Sequence, residues 1–545
     1  MRAMRLKQEI PARLAFSAAT TLALCLFATD RQVFASEQQP PPVTAPAAQP
    51  PTQDTPPPTG PELQLTADEA VKMALENNLG IKSDRLSPEI STLNIAQARA
   101  AFTPSLFSTT STRSATSPPD FLASGGASTT TTSERLFSSV GVQQNLPWGG
   151  GRYSLGLDAS KATVNFTSSF NPRLDSNLNA SFTQPLLRNF RIDAQRQQVM
   201  VAKKNEEIAS IDLRQQITAT ERGVRNAYYA LLGAMGQLEV AQQSLELSQT
   251  SLRQNQRRVE VGAMAQIDIL QAEAEVAQRE EAVIVNEANI KSLEDSLRTL
   301  ILNPQQPDFW TVRLVPTEQP SLAARPVDVE AAVSNALVNR TDIAQARKRF
   351  EASQITLDFA RNQRLPDVNL VANYNTIGVA GTQFEFGGGF PPVELGRSER
   401  TFQDALSDVF GNNFKTWSVQ LQVNYPIGTS QAEAQVASTR LQREQEQNTL
   451  RELEIGIAAQ VREAGRRVST SLQRVQSTER ARQFAERRLE AEEKRQTAGL
   501  GTTFEVIQAQ RDLSSIRQQE QRAIIDYNLA LVDFQAVQQA PLGDR

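Results

Sequence analysis

Between residues 217 and 259, Ile217, Val224, Leu231, Leu238, Leu245, Leu252 and Val259 recur every seven positions in an otherwise polar stretch. That spacing predicts a long helix packed through a narrow apolar seam. The helix covers residues 190 to 260, roughly 100 Å at a rise of 1.5 Å per residue. A second helix of similar length is predicted over 430 to 497, with Val461, Val468, Val475 and Leu489 in the seam and Arg482 interrupting it. Each long helix stops at a glycine, Gly262 or Gly499, which permits the chain to reverse. Shorter helices then return over 267 to 302 and 504 to 539. The two tips, "VEVGAMAQIDILQAEAE" (259–275) and "QTAGLGTTFEVIQAQRD" (496–512), share one layout. Gly499 falls on Gly262, Phe504 on Ile267 and Ile507 on Leu270.

The shared layout extends beyond the tips. "LTADEAVKMALENNLGIKSDR" (65–85) aligns without a gap on "VDVEAAVSNALVNRTDIAQAR" (327–347), and the register holds to Pro104 on Pro366. The chain is therefore an internal duplication with a period far above that of solenoid repeats. One repeat covers 63–325, with its strands within 104–185 and its tip at 259–268. The other covers 326–540, with strands within 366–427 and a tip at 496–505. Each opens with a helix, 66 to 101 or 327 to 364, that stops near the paired proline.

Between the helices the period changes from seven to two. "FSSVGVQQNL" (137–146) and "TWSVQLQVNY" (416–425) alternate apolar with polar over about ten residues, the length and period of a transmembrane β-strand. Residues 104–111, 152–166 and 176–184 alternate too, with "WGGG" (148–151) as a tight turn, whereas 112–133 and 378–414 read as loops. Trp148 and Trp417 lie at or near strand ends, where interfacial aromatics belong. Four to six strands per chain are too few for even the smallest barrel of eight, so closure requires several copies.

Composition removes most alternatives. The chain has no histidine and one cysteine, Cys25, which excludes imidazole catalysis, histidine metal sites and Cys–His nucleophiles. No constellation for carboxylate or Ser–Lys chemistry is evident, and no cofactor is expected. Residues 1–35 read as a signal peptide: Arg2, Arg5, Lys7 and Arg13 precede an apolar run too short to span a membrane, and "VFA" precedes the cleavage point. A Pro-rich linker follows over 36–62. Without the leader the chain is mildly acidic and has no basic stripe, which argues against nucleic acid as a partner.

The order helix, strands, long helix, glycine tip, helix, written twice, resembles the TolC-type outer-membrane efflux and secretion channels over essentially all of 63–540. The resemblance implies a mainly α protein with a membrane β-barrel portion. Long helical hairpins would form a periplasmic tunnel in a homotrimer whose chains share one barrel in outer-membrane lipid. It also implies a periplasmic adaptor and an inner-membrane pump or ABC transporter as partners, for export of small molecules, metal ions or polypeptides. A periplasmic coiled-coil scaffold without a pore would explain the heptads but not the amphipathic strands. The family typically contributes four strands per chain, two per half, whereas the first half here offers four by itself. Either the barrel exceeds twelve strands or one hairpin lies outside the wall.

Two sets of site residues follow from the tips. Gly262, Ala263, Met264, Gly499, Leu500, Gly501 and Thr502 resemble the family's adaptor-docking pattern, although Ala265 and Gly501 depart from its common Ser/Thr. Asp268 and Glu505 each lie six residues after their tip glycine and are expected to form an acidic constriction at the periplasmic mouth. The bland alternative is that both acids merely favour helix N-termini. The family's closed mouth resembles an iris held by ionic links, with an arginine two residues after the second tip glycine. Gly501 occupies that place here, so Arg257, Arg258 or Arg495 would have to supply the link.

Overall fold

In the computed structural model the described residues are 61–118, 130–166, 168–262, 265–320, 323–388, 392–428 and 430–539. All belong to the unit Thr59–Arg545, and the leader and most of the Pro-rich linker lie outside them. The first repeat opens with β1 (Glu62–Leu65), α1 (Ala67–Asn77), α2 (Leu79–Asp84) and α3 (Leu86–Arg99). Four strands follow, β2 (Ser105–Ser117), β3 (Thr131–Asn145), β4 (Arg152–Val164) and β5 (Phe170–Pro185). The first hairpin is α4 (Ala194–Glu260) with α5 (Ile267–Ile301), and β6 (Arg313–Pro316) follows it. The second repeat runs α6 (Val329–Asn339), α7 (Thr341–Gln363), β7 (Asp367–Phe386), β8 (Glu394–Arg400), α8 (Phe402–Phe410) and β9 (Lys415–Asn424). It ends with α9 (Gln431–Thr497) and α10 (Thr503–Gln538).

The predicted long helices and their returns are present within a few residues, but the two opening helices are not continuous. The first breaks at Asn78, where ψ is 123°. Its side-chain oxygen caps Ile81 N, and its amide reaches the carbonyl of Leu300 at the end of α5. The second breaks at Arg340, the position that the duplication pairs with Asn78, with ψ at 131°. There the guanidinium grips Asp342 and reaches Gln460 on α9. Both breaks turn side chains toward a neighbouring helix, and a helix-periodic reading cannot see that gain.

The seam residues pack as the heptads require at mid-helix, where Val224 and Leu231 on α4 and Val461 and Val468 on α9 are buried. Arg482, the interruption, pairs at 2.8 Å with buried Glu520 of α10, so its charge is matched inside the hairpin. Two fully buried tyrosines fasten the segment joining the repeats. Tyr228 donates to Leu65 O and accepts from Glu318 N, while Tyr527 donates to Ala323 O. Tyr228 stands beside β1 and β6, a parallel pair that the sequence reading did not anticipate.

Where α4 meets α7, Lys204 and Lys348 interleave with Glu207 and Glu351 at 2.8 to 3.4 Å. The hydrogen bond from Lys348 holds Glu207 below the usual carboxylate value of 4.5, and Lys204 does the same for Glu351. Both lysines are raised above 10.5, Lys204 chiefly by Glu351 and Lys348 chiefly by Glu207. Depressed carboxylates lose their contribution as pH falls through their folded values, and raised lysines lose theirs as pH rises through theirs. The tie is therefore expected to be whole between pH 4.5 and 10.5. A Glu207→Gln variant should melt below the parent at pH 7 and converge on it in acid.

Apart from the β1–β6 pair, the described strands form a seven-stranded sheet in the order β2-β3-β4-β5-β7-β8, with β9 also paired to β7. Residues 378–414, expected to be a loop, instead contain the end of β7, all of β8 and α8. The alternation of β7 was hidden by Gly378 and Ala380, which are small because α8 rests on them. A Cβ at Gly378 would lie 1.9 Å from the Ala405 carbonyl. Residues 112–117 and 131–133, also read as loop, extend β2 and β3, while 119–129 lie outside the described residues. β9 pairs with residues 367–376 of β7 and β8 with 381–386, so the two are one strand position interrupted by α8. Arg400 bridges the gap, donating to Val379 O at 3.0 Å and pairing with Asp408 of α8 at 2.6 Å.

Candidate functional site

The strand registers sort the sheet's side chains onto two faces. One carries Val142, Leu155, Ala180, Tyr374 and Trp417 on a single row, flanked by Val140, Leu157, Leu178, Leu370, Val419, Leu421 and Val423. The other carries Ser139, Asp158, Asn179, Ser181, Asn373, Ser418 and Gln420. Leu421 and Val423 are each 62% exposed, far too open for a packed core. A sheet whose apolar face is covered only where α8 rests on Gly378 and is open over Trp417–Val423, and whose other face is polar, matches lipid outside and water inside. No described helix is long and apolar enough to cross a membrane.

The helical hairpins end at the two glycines. Gly262 and Gly499 take φ values of 75° and 74°, where an L-residue is strained. At the second tip Leu500 N also reaches back to Arg495 O, the closure of a Schellman motif. Gly501 packs against Arg495 and Gln496, and Thr502 caps α10. Ala263 and Met264 lie outside the described residues. Apolar side chains are left open at both tips: Val261, Ile267 and Leu270 at the first, Leu500 and Phe504 at the second.

Glu505 sits in a capping box with Thr502, accepting from its backbone N–H at 2.8 Å. That bond holds its carboxyl below 4.5, with Thr502 Oγ1 and the Arg495 charge assisting. Asp268 falls in the first turn of α5, where Gln266 provides no side-chain cap; its own side chain lies outside the described residues. The duplication thus places both acids at the start of a returning helix, and Glu505 acts there as a cap.

A stronger electrostatic feature lies deeper, and sequence reasoning missed it. Glu275 of α5 has a side chain only 3% exposed, paired with Arg511 of α10 at 2.6 Å and with Arg279 at 2.6 Å. Arg279 extends to Ser514 Oγ of α10, which also bonds Ser244 of α4. This node ties the first hairpin to the second, about twelve residues above each tip glycine. Arg495, by contrast, pairs with Glu492 and reaches Leu500 O within its own hairpin. In sequence Glu275 is one of many helix-face acids, and only the duplication-related equivalence of Glu275 and Asp512 could have marked the neighbourhood of Arg511.

The model of the outer membrane efflux protein family matches residues 70–301 and 332–537. No curated protein matches the chain. Among solved structures, a membrane protein from Pseudomonas aeruginosa is similar at 17% identity, covering 87% of this chain and 93% of that one with a TM-score of 0.61. The VceC outer membrane protein of Vibrio cholerae is similar at 16% identity, over 88% of this chain and 97% of that one, with a TM-score of 0.60. The CmeC outer membrane channel of Campylobacter jejuni is similar at 14% identity, 88% and 87% coverage and a TM-score of 0.59. At these identities the structures share the fold.

Proposed function

Because the chain belongs to the outer membrane efflux protein family, we propose that it works as a homotrimeric conduit which a periplasmic adaptor couples to an inner-membrane pump or ABC transporter. Family membership makes it an outer-membrane efflux channel whose helices extend into the periplasm. The observation that carries the trimeric reading is the sheet itself. Among the described residues its two edges, β2 and β8/β9, have no further partner strand, and open edges cannot face lipid. A scaffold without a pore leaves the open apolar stretch from Trp417 to Val423 without a purpose. Polypeptides, small molecules and metal ions remain the cargo classes, chosen by the inner-membrane partner.

The tips, residues 261–262 and 499–504 with Ala263 and Met264, are the proposed adaptor surface. Their open apolar side chains on rigid glycine reversals support this reading, since exposed clusters of this kind mark interaction sites. Leu500→Asp with Phe504→Asp should leave the trimer in the outer membrane yet abolish co-purification with the adaptor. Retained co-purification would place docking elsewhere.

Asp268 and Glu505 are the proposed acidic constriction, repeated three times around the mouth. Glu505→Gln is informative because glutamine preserves a capping box while removing the charge. Combined with Asp268→Asn, it should lower cation selectivity in planar bilayers without lowering the melting temperature of the trimer. Unchanged selectivity would reduce Glu505 to its capping role.

A further inference from the structure

We propose that each copy contributes six strand positions to the membrane wall, so that three copies close a barrel of eighteen strands, with the β3–β4 hairpin an integral part of that wall. The inference rests on the trimeric reading for its total and departs from the four strands per chain that the family resemblance implies.

The hairpin is bonded into the sheet over its whole length. β3 pairs with β2 from Gln143 to Thr131 and with β4 from Ser133 to Asn145, and β4 pairs with β5 from Arg152 to Ala162, without a register shift. Removing it from the wall would mean breaking both ladders and re-pairing β2 with β5. Its turn is seated at the junction with the helices. Gln144 and Asn145 donate to Phe102 O and Ala101 O, and Gln184 donates to Gly149 O at 2.7 Å. Gly150 approaches so closely that a Cβ would lie 2.3 Å from Asn189 O.

The two faces run through the hairpin unchanged. On the polar side Ser139 donates to Asp158, which also accepts from Asn179 at 2.6 Å, joining β3, β4 and β5 by lumen-side bonds. On the apolar side the band slides as it crosses the sheet. On β3 it runs from Val142 outward to Leu136, and on β9 from Trp417 inward to Val423, although Val142 and Trp417 share a row. A slide of about six residues over four strand steps is ~5 Å per ~4.8 Å step, a strand tilt of roughly 45°. A band that stays level in the membrane must slide in this way on tilted strands, and the hairpin follows the same slide.

The edges suit a second copy of this chain. β2 ascends from α3 while β9 descends to α9, so copies related by rotation about the pore axis bring these edges together antiparallel. At that tilt a wall of eighteen strands is about 39 Å across, against about 26 Å for twelve, by spacing and strand number alone. The outer mouth is then too wide to size the cargo, and the periplasmic end carries that task.

Single cysteines at Gln143, Ser154, Val140 and Leu155 test the hairpin's place in the full-length protein. On intact cells a membrane-impermeant maleimide should label Gln143→Cys and Ser154→Cys on the lumen face, with loss of labelling at Val140→Cys and Leu155→Cys on the lipid face. Equal labelling of all four puts the hairpin outside the wall and overturns the proposal. Native mass and electron cryomicroscopy of the detergent-extracted protein then test the total. Eighteen strands in a trimer is expected. A trimer with twelve overturns this inference while leaving the trimeric channel intact, and a stoichiometry other than three overturns both the total and the trimeric reading.

Discussion

Glu275→Gln is expected to raise the open probability of the channel about tenfold or more, each 1.4 kcal/mol being a factor of ten. Glu275 is the buried hub through which Arg511 and Arg279 join α5 to α10, and on the proposed reading of the tips as the periplasmic mouth this tie opposes separation of the two hairpins. Removing one partner of a fully buried pair costs about 3–5 kcal/mol, whereas exposed pairs contribute about 0–1 kcal/mol. Arg511 is 46% exposed, so the tie belongs between these limits, at about 1–3 kcal/mol per copy. Arg488→Gln, which breaks the exposed pair with Asp512 inside the second hairpin, should leave gating unchanged. Single-channel recordings on both variants check the expectation; equal open probabilities would show that the node does not hold the mouth.

A charge placed on the apolar face of β9 should prevent assembly, and the same charge one residue away should not. Leu421→Arg would present its guanidinium to lipid at about 2–4 kcal/mol per copy near the bilayer midplane. Three copies carry that penalty together in one trimer. Gln422→Arg would project into the water-filled lumen, because successive residues of a strand point to opposite faces. Heat-modifiable trimers extracted from outer membranes should be lost in the first variant and retained in the second. The reverse result would mean that the faces are assigned the wrong way round.

Much of this architecture was legible because it is written in short periods and then written again. Heptads marked α4 and α9, glycines marked the tips, and the gap-free overlap of 65–85 on 327–347 announced the duplication. The missed features depend on contacts between distant segments. β1 and β6 are four residues each and meet across some 250 residues of chain, so no local period reveals them. α8 is short and lies within a Gly-rich stretch, although the capping box from Thr401 to Asp404 was a local sign of it. The breaks at Asn78 and Arg340 exchange helix continuity for bonds to neighbouring helices. Glu275 became recognisable only when α10 placed Arg511 beside it.

Whether several copies of this chain close one pore through the outer membrane and continue it into the periplasm is decided by planar-bilayer recording of the protein extracted as a trimer. Discrete conductance steps of uniform size are expected, cation-selective, and open more of the time in Glu275→Gln. A stable trimer that inserts into the bilayer and conducts no ions in either form would contradict the shared pore.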